Sequence, residues 1–135
     1  HQLEEKERPP TEVSPGMPQL ETALPSLLDA VARNRLSYAA IAELYAERPA
    51  RIHGLYPKKG TIQVGSDADL VVVDPDAEWT VDADAFESAG EYSPFDGMTL
   101  TGRPVATYLR GRKVAEDMET VSEAGDGRFL SSQEA

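Results

Sequence analysis

The sequence predicts a mixed α/β chain in which helices come first and β-structure follows. Apolar residues recur at helical spacing over 20–32 and 38–47. The four consecutive apolar residues 70–73 instead suit a strand covered on both faces, and Gly111 divides two short segments that would form a hairpin. This change of period indicates two pieces of different architecture, joined near residues 54–60.

Three helices are predicted in the first part of the chain. The first carries Pro25 in its first turn. Its apolar face comprises Leu20, Leu24, Leu27, Leu28 and Val31. Ser37 is a good N-cap for the second helix, 38–47, and a short third helix would begin at Pro49 and end at Gly54. The predicted buried stripe of the second helix comprises Ala40, Ile41, Leu44 and Tyr45.

The second part of the chain is predicted to form short strands. These strands are 61–64, 70–73, 79–81 and the two arms of a hairpin, 104–110 and 112–116. Asp82 is placed to cap a single helical turn that reaches Phe86. Beyond residue 118 the chain is polar and rich in Gly, Ser and Glu, which is typical of a mobile tail.

Composition excludes several classes of site. The 135 residues suffice for one small domain but fall short of a complete (β/α)₈ barrel, which needs about 250. Cysteine is absent, and the only histidines, His1 and His53, cannot by themselves build a His-rich zinc site. A net charge of −11 argues against nucleic acid, and no apolar run is long enough to cross a bilayer. We therefore expect neither a nucleic-acid nor a membrane partner, and a cytoplasmic location.

The charge balance also indicates the salt concentration in which the protein works. The chain has 24 acidic and 13 basic residues, and only four of the basic residues are lysine. Excess carboxylates keep a protein hydrated and soluble at high salt. The combination of acid excess and lysine scarcity predicts a salt-adapted, halophilic protein, and we expect a haloarchaeal origin.

Five segments of the chain resemble one enzyme family. They are HQLEEKE (1–7), PGMPQLET (15–22), RPARIHGL (48–55), KGTIQVGSDADLVVVD (59–74) and SPFDG (93–97), the last followed by Gly102 and Arg103. Together they resemble the C-terminal portion of dihydroorotase, a cyclic amidohydrolase of the amidohydrolase superfamily.

This resemblance implies a fold with two parts and a tail. The fold would be α/β, the C-terminal end of a metal-dependent amidohydrolase (β/α)₈ barrel plus part of a small accessory β-sandwich. Residues 1–54 would be the last barrel loop and the closing helices, and 55–117 the C-terminal part of the sandwich. Residues 118–135 would be the tail.

The resemblance also implies an activity, the reversible cyclisation of N-carbamoyl-L-aspartate to L-dihydroorotate in pyrimidine biosynthesis. The implied cofactor is zinc, one or two ions, with the metal ligands and catalytic residues expected upstream of His1. The implied partners are a small-molecule substrate, the upstream part of the same barrel, and further copies in a homo-oligomer. The isolated segment is expected to be inactive.

Three residues are the predicted substrate contacts. By resemblance, His1 would bind the substrate carboxylate, and backbone groups at Pro15 and Gly16 would contact the dihydropyrimidine ring. Gly16 allows close approach of the backbone, and Pro15 stiffens the loop. Gln19 stands where the family usually has Gly, which is a departure from its pattern. Glu21 is expected to be structural, favoured by the donors at the start of a helix.

Other carboxylates and His53 are predicted to be structural as well. Asp67 and Asp69 can accept hydrogen bonds from nearby backbone donors, and we do not expect them to bind metal. His53 follows a helical turn and is expected to pack there or remain half-exposed.

Two alternatives stay open. The segment Tyr56-Pro57-Lys58-Lys59-Gly60 resembles hydantoinases, dihydropyrimidinases and allantoinases equally well. A metal-free relative that keeps the fold and serves as a scaffold would carry the same motifs.

Overall fold

The computed structural model describes residues 3–13, 15–90 and 92–132. Its helices are α1 (Leu3–Lys6), α2 (Ala23–Ala32), α3 (Tyr38–Ile41) and α4 (Arg48–Ile52). Its strands are β1 (Leu70–Thr80), β2 (Thr99–Leu109), β3 (Arg112–Glu116) and β4 (Glu119–Thr120). A π-helical segment, Ala42–Glu47, links α3 to α4, and Ala83–Ala85 form a 3₁₀ turn. The predicted order of helices followed by β-structure is confirmed.

The strands form one antiparallel sheet in the order β1-β2-β3-β4. β1 was expected as two strands, 70–73 and 79–81, but it is continuous, with an irregularity between Asp74 and Glu78. The Asp74 carboxylate builds this irregularity, because its Oδ1 accepts the backbone N–H groups of Asp76 and Ala77 at 3.0 and 3.2 Å. The sequence indicated two strands, and the structure instead has one strand whose pairing register shifts where Asp74 makes these local bonds.

The hairpin predicted at Gly111 is confirmed. Leu109 pairs with Arg112, so the connection is the two residues Arg110 and Gly111. Both have positive φ, 49° and 80°, which is the geometry that matches the twist of a two-residue hairpin.

The second and third predicted helices are continuous with each other in the structure. Ser37 Oγ accepts the N–H of Ala40 at 3.2 Å, which confirms the predicted N-cap. The helix does not end at Glu47, however, because the π-helical segment leads directly into α4. Gly54, at φ 66°, follows the end of α4 as expected.

The predicted apolar faces of the helices are only partly buried. Leu28 is 4% exposed, whereas Leu20 is 92% exposed and lies before α2 begins. In the second stripe Ile41 is buried, but Leu44 and Tyr45 are each half-exposed. Helical spacing identifies the apolar side of a helix, and burial additionally requires an element that packs against that side.

The core includes the contact of α2 with β2 and extends to residues of α3, α4 and the segment that follows β1. Its buried apolar side chains are Leu28, Ile41, Ala50, Val81, Ala83 and Leu100. Gly102 allows α2 and β2 to approach closely, because a Cβ at this position would lie 2.6 Å from the Cβ of Leu28. Asp29 adds a polar link, since its carboxylate accepts the backbone N–H of Thr101 at 3.1 Å.

The strand predicted at 61–64 is wrong. These residues form an irregular, bent segment that leads into a turn at residue 64, and Ile62 and Val64 are both almost completely exposed. A strand requires a hydrogen-bonding neighbour, and none of the described strands pairs with this segment. The loop is instead fixed by a bond from Ser66 Oγ to the carbonyl of Pro57 at 2.7 Å.

One further expectation about the β-part needs correction. Val71 and Val72 are about half-exposed, so the strand at 70–73 is not covered on both faces by the described residues. Within the segment expected to be a mobile tail, residues 119–120 form β4, which pairs with β3, and the mobility of the rest stays a prediction. The Asp126 carboxylate also accepts a bond from Arg112 Nη1 at 2.8 Å.

Among the residues that the structure describes, no helix is long and apolar enough to cross a membrane.

Candidate functional site

The predicted substrate loop, residues 15–20, projects from the surface. Pro15 and Gly16 are exposed, and Met17 is half-exposed. Gly16 has φ 105°, a conformation that a residue with a side chain rarely adopts. Glycine therefore has a specific conformational reason to stand here, and it leaves the backbone open to an approaching ligand.

A side chain from α1 contacts this loop. Lys6 Nζ donates to the carbonyl oxygen of Gly16 at 2.5 Å. A charged donor makes a strong hydrogen bond to a carbonyl, so Lys6 restrains Gly16. His1, the third predicted substrate contact, lies outside the described residues.

Glu21 anchors the C-terminal end of the loop. Its Oε2 and Oε1 accept the backbone N–H groups of Glu87 and Ser88 at 3.1 and 3.0 Å. The next residue, Thr22, is only 1% exposed. Glu21 thus makes structural bonds, as expected, but to a loop 66 residues away and not to the start of α2.

Three charged side chains form a compact cluster beside the hairpin. Lys59 Nζ bridges the carboxylates of Asp67, at 2.8 Å, and Asp69. Asp69 also accepts the backbone N–H of Arg110, at 2.7 Å. Asp69 therefore holds the loop at 59–69 against the hairpin turn, while Asp67 binds Lys59 within that loop.

The cluster shifts the pKa values of two of its members. The hydrogen bond from Lys59 is the main cause that lowers the pKa of Asp67. Burial by itself would lower the pKa of Lys59, but its bonds to Asp67 and Asp69 outweigh that effect and raise it. Both ions are therefore stabilised in their charged forms.

The described residues do not fit the metal that the fold implies. Within 3–13, 15–90 and 92–132, no group of three or more His, Cys, Asp or Glu side chains is placed to hold an ion. His53 is exposed, and the Asp67 and Asp69 carboxylates bind Lys59. We derive no chemical step through a metal held by these residues.

A cleft of about 500 Å³ lies between the π-helical segment and the start of β1. Its walls are mainly apolar and include Leu24, Ile41, Tyr45, Leu70 and Val73. Lys59, its two aspartates and Glu47 also line it; the first three form one ion-paired cluster, and Glu47 binds Arg51 at 2.8 Å. Because each of these charged side chains is already engaged in an ion pair, the exposed loop remains the better candidate for substrate contacts.

Sequence reasoning found the loop but missed the residues that hold it. Neither the Lys6–Gly16 bond nor the bonds from Glu21 to residues 87–88 has a signal in local sequence. The only indication was that Glu21 directly follows the loop, at the point where a helix begins.

The chain matches one protein family and is similar to several enzymes. The amidohydrolase family profile matches residues 15–114. An L-hydantoinase of Paenarthrobacter aurescens is 50% identical over 113 residues, which is 83% of this chain and 25% of that protein. A dihydroorotase of Methanothermobacter thermautotrophicus is 41% identical over 133 residues, 98% of this chain and 30% of that protein.

A solved structure of a hydantoinase is also similar to this chain. The L-hydantoinase (dihydropyrimidinase) from Arthrobacter aurescens superposes with a TM-score of 0.86 and 48% identity, covering 90% of this chain and 27% of that one. The chain therefore spans between a quarter and a third of the length of these proteins. The α/β fold class expected from the sequence, part of an amidohydrolase barrel protein, is confirmed. On the profile match and these identities, the chain belongs to the amidohydrolase family.

Proposed function

We propose that this chain is the C-terminal part of a cyclic amidohydrolase, and that the first candidate reaction is that of dihydroorotase. The supporting observation is the fraction of this chain that aligns with dihydroorotases. The Methanothermobacter dihydroorotase aligns over 98% of the chain, and a Pyrococcus horikoshii dihydroorotase, at 35% identity, aligns over all of it. Both alignments therefore include α1 and the loop at 15–20, where the substrate contacts are predicted.

The second candidate is a hydantoinase reaction. The L-hydantoinase relative has the higher identity, 50%, but over 113 of the 135 residues. Hydantoins and dihydroorotate are both cyclic ureides, so one backbone loop could serve either ring. They differ in charge, because dihydroorotate carries a carboxylate that needs a cationic or N–H donor such as His1.

In either reaction the residues of this chain would bind and orient the substrate. The exposed backbone at Pro15 and Gly16 offers peptide groups to the alternating N–H and C=O groups of a ureide ring. Lys6 restrains one of these peptide groups, which reduces the entropy lost on binding. The proposal for His1 is that it pairs with the carboxylate of the substrate.

The hydrolytic chemistry would be supplied by other residues. A bound zinc ion lowers the pKa of water and polarises an amide carbonyl, and one or two such ions are the proposed cofactor. Because the described residues do not fit an ion, its ligands would come from another part of the barrel.

The surface of the chain supports such a partner. Tyr38, Leu44 and Tyr45 on the helical side, and Val71 and Val72 on β1, are each about half-exposed. Apolar patches of this kind commonly mark interfaces. The proposed partner is the remaining part of the same barrel, and assembly into a homo-oligomer is a further expectation.

The test is an assay of the intact protein that carries this chain, loaded with zinc. We expect hydrolysis of L-dihydroorotate and formation of the same ring from N-carbamoyl-L-aspartate. Turnover of hydantoin alone would favour the second candidate. A protein that binds no metal and turns over neither ring would instead be the scaffold alternative, and the proposal would be wrong.

A further inference from the structure

We propose that Glu21 is a positioning residue for substrate binding, which fixes the loop at 15–20 by binding the backbone at 87–88. This inference rests on the proposed function, because it gives that loop the task of contacting the ring. Glu21 acts through the loop and does not touch the reacting atoms.

The geometry of the Glu21 carboxylate carries the argument. Each of its oxygens accepts one N–H, from Glu87 at 3.1 Å and from Ser88 at 3.0 Å. Bidentate bonds to an ionised group are stronger than neutral ones and fix orientation as well as distance. The carboxylate thus joins two surface loops that are distant in sequence.

The bonds on either side of Glu21 transmit this restraint to the loop. Gln19 O accepts the N–H groups of Thr22 and Ala23 at 3.2 and 2.8 Å, closing a tight turn around Glu21. Thr22 is almost fully buried. A rotation at Glu21 would therefore move the Gln19 carbonyl, and with it the exposed part of the loop.

The opposite end of the loop is restrained independently. Lys6 holds the Gly16 carbonyl, and Pro15 and Pro18 each fix one backbone angle. A loop that is held at both ends adopts few conformations other than the one observed. Positioning to within about 0.5 Å is what a functional site requires of its supporting residues.

The two carboxylate oxygens also argue against a role for Glu21 as a general base. A base must lie within hydrogen-bond reach of the proton that it removes. Both Glu21 oxygens are already engaged by backbone donors of a neighbouring loop. Its contribution should therefore appear mainly in substrate affinity.

The first arm of the test measures hydrogen exchange in the intact protein that carries this chain. Glu21→Ala should accelerate exchange of the amides of Glu87 and Ser88, and of Thr22 and Ala23, whose N–H groups bind the Gln19 carbonyl of the loop. Glu21→Gln keeps one acceptor oxygen and should give an intermediate rate. Glu78→Gln, an exposed change on β1, is the matched control and should leave these rates unchanged. Unchanged exchange at Thr22 and Ala23 in Glu21→Ala would overturn the inference.

The second arm measures kinetics in the intact protein, well below its thermal transition. Glu21→Ala should lower kcat/KM roughly 10- to 100-fold, mostly through a higher KM, with Glu21→Gln between it and wild type. A purely structural role would instead lower the active fraction and leave KM unchanged, which would overturn the inference. If Glu21→Ala does not fold, Glu21→Gln carries both arms.

The two arms separate this inference from the proposed function. A wild-type protein that turns over neither ring would contradict the proposed function, while hydrogen exchange would still decide whether Glu21 holds the loop. An active wild type whose Glu21 variants keep a normal KM would contradict the inference alone.

Discussion

The carboxylate of Asp29 in α2 accepts the backbone N–H of Thr101 in β2 at 3.1 Å. The same carboxylate binds Arg33, one turn further along α2, at 2.5 Å. Asp29 therefore links the helix to the sheet while its charge is compensated within the helix. This link holds α2, and hence the end of the loop at 15–20, on the β-part of the chain.

Removing the Asp29 carboxylate should weaken the contact between α2 and β2. We expect Asp29→Ala to lower the free energy of unfolding by roughly 1–3 kcal/mol, because the Thr101 N–H loses its charged acceptor. Asp29→Asn keeps an acceptor oxygen and should cost less. Arg33→Ala is the control, since it removes the ion pair and leaves the Thr101 bond. Urea denaturation measures all three, and equal losses in Asp29→Ala and Arg33→Ala would contradict this assignment.

Asp29 should also contribute to acid sensitivity. The hydrogen bond from Arg33 lowers the pKa of Asp29, so the folded state binds that proton more weakly than the unfolded state. Its contribution is present above the unfolded pKa of about 3.9 and is lost as pH falls through the lower folded pKa. Between pH 5 and pH 2, Asp29→Asn should therefore lose less stability than wild type. If the free energy of unfolding falls equally steeply with pH in Asp29→Asn and in wild type, the prediction is contradicted.

Adding a methyl group at Gly102 should force α2 away from β2. The new Cβ would lie 2.6 Å from Leu28 Cβ, and the residue has φ 93°. We expect Gly102→Ala to cost about 1–3 kcal/mol from overpacking, in addition to about 1–2 kcal/mol from the backbone conformation. Gly65→Ala is a matched control, because Gly65 has φ 96° and nothing within 4 Å of its added Cβ. Thermal unfolding should show the larger loss at Gly102, and equal losses would refute the close approach.

Lys59 should stabilise the loop beside the hairpin in a pH-dependent way. Its bond to Asp67 lowers the pKa of that carboxyl, so the stabilisation is present above about pH 4 and is lost as pH falls further. The raised pKa of Lys59 means that the stabilisation at alkaline pH is lost only as pH rises through a value above about 10.4. Lys59→Met should cost roughly 1–3 kcal/mol at pH 7 and little at pH 2.5. A cost that does not change with pH would contradict the role of the ion pairs.

The segment beyond residue 118 should be held by Asp126. Its carboxylate binds Arg112 at 2.8 Å, and its carbonyl accepts a bond from Arg110 at 2.7 Å. Asp126→Ala should change global stability by less than about 1 kcal/mol but accelerate amide exchange in β4. Glu123→Ala, an exposed change in the same segment, should leave that exchange unaltered. Identical exchange in both variants would show that Asp126 does not hold the segment.

Local signals in the sequence predicted local structure well. The Ser37 cap, the Asp82-capped turn and the hairpin at Gly111 all depend on bonds within a few residues. In each case one residue type supplies the acceptor or the backbone conformation that the motif requires. These elements could therefore be predicted from the sequence without knowing what packs around them.

Predictions that depended on distant partners were less successful. The segment at 61–64 has strand-like composition, but pairing depends on a neighbour that local sequence does not identify. The burial expected of Leu44 and Tyr45 likewise depends on what packs against the helix. At the candidate site, the loop at 15–20 carried a recognisable motif. Its attachment through Glu21 to residues 87–88 could not be inferred from either segment alone.

The division at residue 54 and the substrate contacts of His1, Pro15 and Gly16 stay predictions. So do the salt-adapted character and the cytoplasmic location. Family membership supports the general reaction class, while the particular ring depends on assays of the intact protein.

The most direct test of the central claim is hydrolysis of L-dihydroorotate by the purified 135-residue chain with added zinc, beside the same chain joined to the rest of its barrel. We predict no turnover and no stoichiometric zinc in the isolated chain, because its described residues place no metal ligands together. The joined protein should bind zinc and turn over the ring. Turnover by the isolated chain, free of contaminating enzyme, would contradict the account.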